Sequence, residues 1–416
     1  MGFYHELLRI PMSNSISDEN IPHGFRVGMG LVGLGLAGSH HIDAVRRLGF
    51  VDVVAVASSQ PERIRGKAGR YCIPKIYGSY EELAVDPDVH VVHVTTPNYL
   101  HRPAILAALR HRKHIICDKP LATTAAEAVA LLRAAEAAGV VHAVTFAYRG
   151  NPLVQEARSR IAKQGIGPVR FIHGAYLQDW LLEETAYSWR LDRDKGGPSC
   201  ALADIGSHWC DLAEHMTGLR IESVLADLTT AVPIRHRPLR ERQTFFNSDE
   251  VDRTPVNVES EDLASVLVRF NNGAKGCFSV GQVCAGHKND LWIEVNGATA
   301  SLRWDRTRHE ELWIGHRHQA NEVLPKDPSL LDANAQQFSC LPGGVPEGYS
   351  DPLFHILEDI YARIVGRGNS QDGPPSAFAT FEDGFRINCI VDAMIKSHND
   401  GGVWTKVDTS RNYRAV

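Results

Sequence analysis

The stretch "RVGMGLVGLGLAGSHHIDAVRRLGFVDVVAVA", Arg26 to Ala57, decides the fold. Arg26 to Gly33 is almost wholly apolar or glycine and reads as a buried strand, "SHHIDAVRRLG" has the apolar spacing of a helix, and Val51 to Ala57 is a second strand. That is a β-α-β unit, and Gly33, Leu34, Gly35, Leu36 and Gly38 stand at its first turn in G-x-G-x-x-G spacing. Such glycines allow a tight turn and let backbone approach a pyrophosphate, while the helix N-terminus supplies N–H donors and partial positive charge. These five residues are expected to hold a dinucleotide. After the second strand, "ASSQPERIRGK" puts Ser58 and Ser59 where an acidic residue would hold the adenosine ribose. The small hydroxyls leave room for a 2′-phosphate, and Arg63 or Lys67 is placed to pair with one, although Arg63 reads equally as a solvated helix residue. Both NAD and NADP stay open, with NAD preferred.

The alternation continues outward. Val89–Thr95, His114–Asp118 and Val140–Phe146 read as strands, and Thr124–Ala138 as a helix with Thr124 and Glu127 at capping-box spacing and Gly139 at its end. Residues 23–150 are therefore expected to form a parallel, doubly wound Rossmann domain. From 151 to 416 the pattern becomes α+β. The helical "LVQEARSRIAKQG" precedes the strand-like "VRFIHGAYLQD", "LASVLVRF", "AKGCFSVGQ", "LWIEVNG" and "TASLRW", which predict one large open antiparallel sheet. Residues 233–255, polar and aperiodic, predict a long loop. Two late helices, Pro352–Val365 and Thr380–His398, are placed to pack back on the Rossmann domain. Residues 1–22 show no periodicity and read as a flexible extension.

Composition narrows the function. With 44 Lys and Arg against 49 Asp and Glu in 416 residues, and a net charge of −5, there is no basic excess for nucleic acid. No apolar run reaches the roughly 20 residues of a bilayer span, and Met1 to Pro22 lacks a signal peptide's apolar centre, so a cytoplasmic protein is expected. The eight cysteines are scattered without C-x-x-C pairs and suggest neither a disulfide framework nor a zinc ribbon.

A second stretch, "ALADIGSHWCDLAEH" (Ala201 to His215), gathers acids and imidazoles. If Gly206 ends a loop and a helix follows, Asp204, His208, Asp211, Leu212 and His215 share one face. No H-E-x-x-H or cysteine-rich pattern accompanies them, and no metal is expected. Acid/base chemistry explains the face better: oxidising a secondary alcohol requires a near-neutral base at the hydroxyl, which suits His208, and a cation at the same oxygen, which suits the strand-end Lys119. Asp204, one turn before His208, is placed to orient the imidazole or bind a substrate hydroxyl. Asp211 and His215, like His40 and His41, read as packing or surface groups.

Taken together, "GLGLAGSHH", "TTPNYLHRPAI", "CDKPLA", "YRGNP", "WRLDRDKGGPSCALADIGSHWCDL" and "PEGYSDPLFHILEDIY" resemble the glucose–fructose oxidoreductase, inositol dehydrogenase and rhizopine catabolism (Gfo/Idh/MocA) superfamily, from Phe25 onward. The resemblance implies a Rossmann domain carrying NAD(P), followed by an open sheet that walls the substrate pocket and often forms the oligomer interface. It implies catalytic roles for Lys119, Asp204 and His208, with an E-K-P motif falling on Asp118, Lys119 and Pro120 and a D-x-x-x-H pair on Asp204 and His208. It places Thr96, Pro97, Asn98, His101, Asp118, Lys119, Trp189 and Arg190 beside the cofactor. Tyr148, Arg149 and Tyr176, with Lys119, Asp204 and His208, fall on the substrate side, and Tyr176, Trp180, Tyr187 and Trp189 are available to stack on a sugar face. The implied reaction moves hydride between nicotinamide and a ring hydroxyl of a sugar, glycoside, anhydrosugar or inositol. Two alternatives keep the fold: an enzyme with tightly bound, non-exchanging NAD(H), and a non-catalytic regulator, which the presence of Lys119 disfavours. The alternating apolar residues of "LASVLVRF" and "KGCFSVGQV" predict a homo-oligomer, dimer or tetramer, through the sheet.

Overall fold

A computed structural model describes residues 26–239, 252–366 and 376–411. The expected extension 1–22 lies outside them, as does the middle of the expected loop. Strands and helices alternate first: β1 (Val27–Val32), α1 (Leu36–Arg47), β2 (Val51–Ala57), α2 (Pro61–Arg70), β3 (Lys75–Tyr77), α3 (Tyr80–Val85), β4 (Val91–Val94), α4 (His101–Arg110), β5 (His114–Cys117), α5 (Ala125–Ala138) and β6 (His142–Val144). The six strands are all parallel, in the order β3-β2-β1-β4-β5-β6. Every residue of β1 and β4 is buried, as a sheet covered on both faces requires. The order reverses between β1 and β4, and in open parallel sheets ligands bind in the crevice beyond the carboxyl ends at such a reversal. Local chemistry fixes the helices: Thr124 Oγ1 accepts from the Glu127 N–H, and Gly139 ends α5 in the left-handed conformation (φ 65°).

The second half comprises α6 (Pro152–Ala162), β7 (Val169–Leu177), a short turn α7 (Arg193–Gly196), α8 (Ser207–Thr217), β8 (Ile221–Thr229), β9 (Ile234–Pro238), β10 (Arg253–Asn257), β11 (Leu263–Phe270), β12 (Lys275–Gly281), β13 (Asp290–Gly297), β14 (Ala300–Asp305), β15 (Glu311–His316), β16 (Glu322–Pro325), α9 (Ala333–Gln336), α10 (Asp351–Ile364), α11 (Phe381–Asn399) and β17 (Thr405–Lys406). A nine-stranded sheet runs β16-β15-β14-β13-β7-β12-β11-β8-β17. It is antiparallel except at its centre, where β7 and β12 are parallel. The cause is topological: β7 enters between β12 and β13, so the link 282–289 must cross the end of β7. Three further differences from the sequence reading stand out. The ends of the expected loop 233–255 pair as the antiparallel ribbon β9–β10, anchored by the fully buried Arg235 on Asp262. Gly206 ends no loop: a wide π-helical turn over Leu202–Gly206 leads directly into α8. And α5 has only half a capping box, because Glu127 Oε2 bonds Thr123 instead of returning to Thr124.

Helices α6, α8 and α11 cover one face of this sheet. The other face carries the cross-strand row Leu225, Leu267, Cys277, His173, Glu294, Arg303, Trp313 and Val323, with Leu267 and Val323 exposed. The halves are joined by α10, whose Leu353, Ile356, Leu357 and Ile360 share a core with Met29, Leu31 and Ile42. Among the described residues no helix is long and apolar enough to cross a membrane.

Candidate active site

The glycine turn has the shape a pyrophosphate needs. Gly33 takes φ 94°, reserved in practice for glycine, and a Cβ on Gly38 would lie 2.4 Å from the Gly33 carbonyl, so α1 packs directly on the turn. A Cβ on Gly35 would meet nothing within 4 Å: it faces open space at the N-terminus of a twelve-residue helix that has no side-chain cap. The turn is held from behind, since Thr95 Oγ1 donates to the Gly33 carbonyl (2.7 Å) and Lys67 Nζ to those of Leu34 and Gly35 (both 3.1 Å). Beside it, the buried Thr96 hydroxyl has no hydrogen-bond partner among the described residues. A bound dinucleotide fits both observations, filling the space before Gly35 and supplying the partner Thr96 lacks. Leu36, exposed, flanks the same opening.

The other residues expected at the cofactor divide. Pro97 starts the short turn Asn98–Leu100, and Asn98 Nδ2 contacts the Gly196 carbonyl at 3.5 Å. His101 is buried, its ring nitrogens 2.9 Å and 3.0 Å from the carbonyls of Pro120 and Thr96, so it ties the two cofactor-side loops together from below. Asp118 accepts from Thr145. Ser58 accepts from the Gln60 N–H, and Arg63 donates to Gln60 Oε1 at 2.6 Å.

Lys119, just past β5, reaches Asp204 in the π-helical turn, donating to its carbonyl (2.7 Å) and to Oδ1 (2.8 Å), with the two side chains only 14% and 12% exposed. Arg190, stacked on Trp189 at 4.6 Å, donates to the same Oδ1 at 3.1 Å, and Gln282 Nε2 to Oδ2 at 2.9 Å. Burial alone would push the Asp204 carboxyl up, but the Arg190 and Lys119 cations hold it far below the usual carboxylate range. It stays ionised. One turn on, His208 packs edge-on against Phe146 and Tyr148 (5.7 and 4.9 Å between ring centres), and no hydrogen bond from a described residue reaches its ring nitrogens. Desolvation first, then the Lys119 ammonium, push the imidazole well below its ordinary range against the pull of Asp204. Both effects favour the neutral imidazole.

A polar wall faces this trio. Tyr148 and Tyr176 share a hydrogen bond (2.8 Å), Tyr176 donates to Asn289 Oδ1 (2.7 Å), Gln178 Nε2 donates to the same oxygen (2.8 Å), and Trp180 Nε1 donates to Gln178 Oε1 (2.7 Å). Sequence reading missed Gln178, Gln282 and Asn289. They follow or lie between strands that converge only because β7 and β12 run parallel, a pairing no local pattern announces. Tyr349, placed between His40 (5.5 Å) and Arg306 (5.3 Å), bridges the halves and was also missed. Two expected contacts belong elsewhere. Arg149 is buried in a bidentate pair with Asp211, at 2.5 to 3.1 Å, with Asp383 at 3.6 Å, so its charge is committed away from the cleft. Tyr187 packs in a small apolar cluster with Leu181, Ala186 and Leu191.

Two family profiles match the chain: one described as an oxidoreductase family with an NAD-binding Rossmann fold, over residues 27–146, and one as the GFO/IDH/MocA C-terminal domain, over residues 154–303. The chain is 29% identical over 401 residues to the levoglucosan dehydrogenase of Pseudarthrobacter phenanthrenivorans, covering 89% of this chain and 96% of that protein. It is 33% identical over 351 residues to the trans-1,2-dihydrobenzene-1,2-diol dehydrogenase of Bos taurus, covering 80% and 95%. A solved levoglucosan dehydrogenase in complex with NADH and levoglucosan superposes with a TM-score of 0.81 at 27% identity, over 92% of this chain and all of that one.

Proposed function

Because the chain belongs to the GFO/IDH/MocA family of oxidoreductases, with an NAD-binding Rossmann fold, we propose that it oxidises a ring secondary hydroxyl of a sugar, glycoside, anhydrosugar or inositol with NAD. The observation that carries this reading is the convergence of Lys119, Asp204 and His208 at the carboxyl end of the same parallel sheet from which the glycine turn leaves. NAD, when bound, supplies the hydride acceptor, held by Gly33, Gly35, Gly38 and Thr96. His208, neutral and with unengaged ring nitrogens, takes the hydroxyl proton. Lys119 has three N–H donors, of which Asp204 receives two, so the third is directed at the same oxygen and stabilises its developing negative charge. Asp204 fixes Lys119, and Arg190 and Gln282 fix Asp204. NAD is favoured over NADP because the two cations placed for a 2′-phosphate are already engaged, Arg63 with Gln60 and Lys67 with the carbonyls of Leu34 and Gly35. The outer row Leu225 to Val323, with Leu267 and Val323 exposed, is proposed to be buried by a second copy of the chain, which light scattering at micromolar concentration tests.

The test of the reaction is absorbance at 340 nm with NAD⁺ and, separately, NADP⁺ against a panel of D-glucose, myo-inositol, levoglucosan and methyl glucosides. Formation of reduced nicotinamide with at least one member supports the reading. A purified protein that already carries reduced nicotinamide, and turns over only when an oxidising sugar is added, identifies the non-exchanging form. Binding of NAD without turnover of any ring alcohol contradicts the proposal.

A further inference from the structure

The proton on Tyr148 has a direction, and it is set by an indole three partners away. Trp180 Nε1 can only donate, and it donates to Gln178 Oε1 at 2.7 Å. Gln282 Nε2, itself held by Asp204 Oδ2, faces the same oxygen at 3.5 Å, so Gln178 Oε1 meets donors on both sides. With that amide orientation Gln178 presents Nε2 to Asn289, whose Oδ1 accepts at 2.8 Å. The same Oδ1 is 2.7 Å from the Tyr176 hydroxyl and can only accept there, which engages the one proton Tyr176 has. The proton between Tyr176 and Tyr148, whose oxygens are 2.8 Å apart, must then be Tyr148's own. Tyr148, Tyr176, Gln178 and Gln282 are buried and Asn289 and Trp180 half-buried, so bulk water cannot substitute for a missing partner at the two tyrosines. Tyr148 therefore has no proton left for the cleft, only lone pairs, and its ring lies 4.9 Å from that of His208.

We infer that Trp180, acting through Gln178, Asn289 and Tyr176, fixes Tyr148 as a hydrogen-bond acceptor, so that the enzyme selects substrates carrying a hydroxyl donor near the oxidised carbon over analogues offering only an acceptor there. This rests on the proposed oxidation of a ring alcohol. On that basis Tyr148, whose ring lies against His208, is taken as a substrate contact and Trp180 as a positioning residue. Two substitutions move the chain differently. Trp180→Phe keeps an aromatic ring but removes the N–H that orients Gln178, so the order of donors is no longer fixed from that end. Gln178→Glu places a carboxylate between Trp180 and Asn289, and Asn289 must turn its Nδ2 inward. Tyr176 then accepts from Asn289 and donates to Tyr148, whose proton turns to the cleft.

The experiment uses the full-length protein, NAD⁺ and whichever panel alcohol has the highest kcat/KM, compared with its monofluoro analogues at carbons other than the one oxidised. Fluorine accepts weakly and cannot donate. In the wild type, one position is expected to lose roughly 10- to 100-fold in kcat/KM on replacing hydroxyl by fluorine, the consequence of leaving a buried acceptor unpaired. That loss should shrink in Trp180→Phe and shrink furthest in Gln178→Glu, where a donating Tyr148 no longer needs a donor from the substrate, whereas a merely structural defect would weaken the hydroxyl and fluoro substrates alike. No position-specific loss in the wild type, or an undiminished loss in both folded variants, overturns the inference. If no panel alcohol is oxidised, the proposed function fails by itself. Neutron diffraction from deuterium-exchanged wild-type crystals then decides the proton order, as it does if the variants fail to fold. A Tyr176 deuteron aimed at Asn289 upholds the inference, and one aimed at Tyr148 overturns it.

Discussion

One helix carries the same four-residue spacing of acid and imidazole twice, Asp204 with His208 and Asp211 with His215, and the structure gives the two copies opposite fates. Each aspartate is ion-paired to a cation from the Rossmann half or its edge: Asp204 to Lys119, Asp211 to Arg149. Around Asp211 both carboxylate oxygens are engaged inside the protein. Arg149 clamps both of its oxygens, Asp383 adds a second acid to the same guanidinium, and His215 Nε2 lies 3.0 Å from Gln155 Nε2. Around Asp204 one Lys119 donor and the His208 nitrogens remain available, and the space beside them is the cleft. Spare hydrogen-bonding capacity at an open cleft, rather than the residue types or their spacing, separates the chemical copy from the structural one.

The most severe break of the comparison should come from the open pair. Lys119→Met deletes the cation beside the reacting oxygen and is expected to lower turnover by roughly 10²–10⁴-fold, with NAD affinity nearly unchanged and a smaller loss of stability than at Arg149, because Arg190 and Gln282 still hold Asp204. Next, Arg149→Met leaves Asp211 buried without its partner. A loss of about 3–5 kcal/mol in unfolding free energy is expected from denaturant titration, with any protein that remains folded still active. Gly35→Val should act on neither pair. It fills the open space before α1 and is expected to raise the NAD dissociation constant, measured by fluorescence quenching, while leaving stability unaltered. The smallest effect is in pH. The folded His208 pKa lies below its unfolded value near 6.5, so below that pH the unfolded chain binds a proton the native state refuses, and stability falls on acidification until the folded pKa is reached. His208→Gln should flatten that slope by up to about 1.4 kcal/mol per pH unit, a limit approached roughly one pH unit below 6.5. The same depression predicts that wild-type kcat/KM for alcohol oxidation stays level as pH falls through 6.5.

Much of the frame was legible because it is written locally. The buried strand, the glycine spacing and the helix after it, Arg26 to Ala57, form as their periodicity dictates, and so do β7, β11, β12, β13 and β14 as separate strands. What sequence could not show was assembled by topology. The parallel pairing of β7 with β12 brings Gln178, Gln282 and Asn289 together although they are far apart in the chain. Arg149 sits beside Tyr148 in the chain, yet only tertiary contact reveals that one meets the cleft and the other meets Asp211. The polar run 233–255 looked like loop because its strand ends hide their one decisive anchor, the buried Arg235, among exposed charges.

The comparison of the two acid–imidazole pairs is tested most directly by single-turnover formation of NADH, followed at 340 nm, in His208→Ala and His215→Ala side by side on one verified ring alcohol with NAD⁺ saturating. The open copy should fail in chemistry alone: His208→Ala is expected to slow hydride transfer by roughly 10²–10⁴-fold while melting like the wild type. His215→Ala is expected to melt at lower temperature yet transfer hydride at close to the wild-type rate. Near-normal transfer by His208→Ala, or a comparable collapse of the rate in a folded His215→Ala, would contradict the assignment of the chemistry to the first pair.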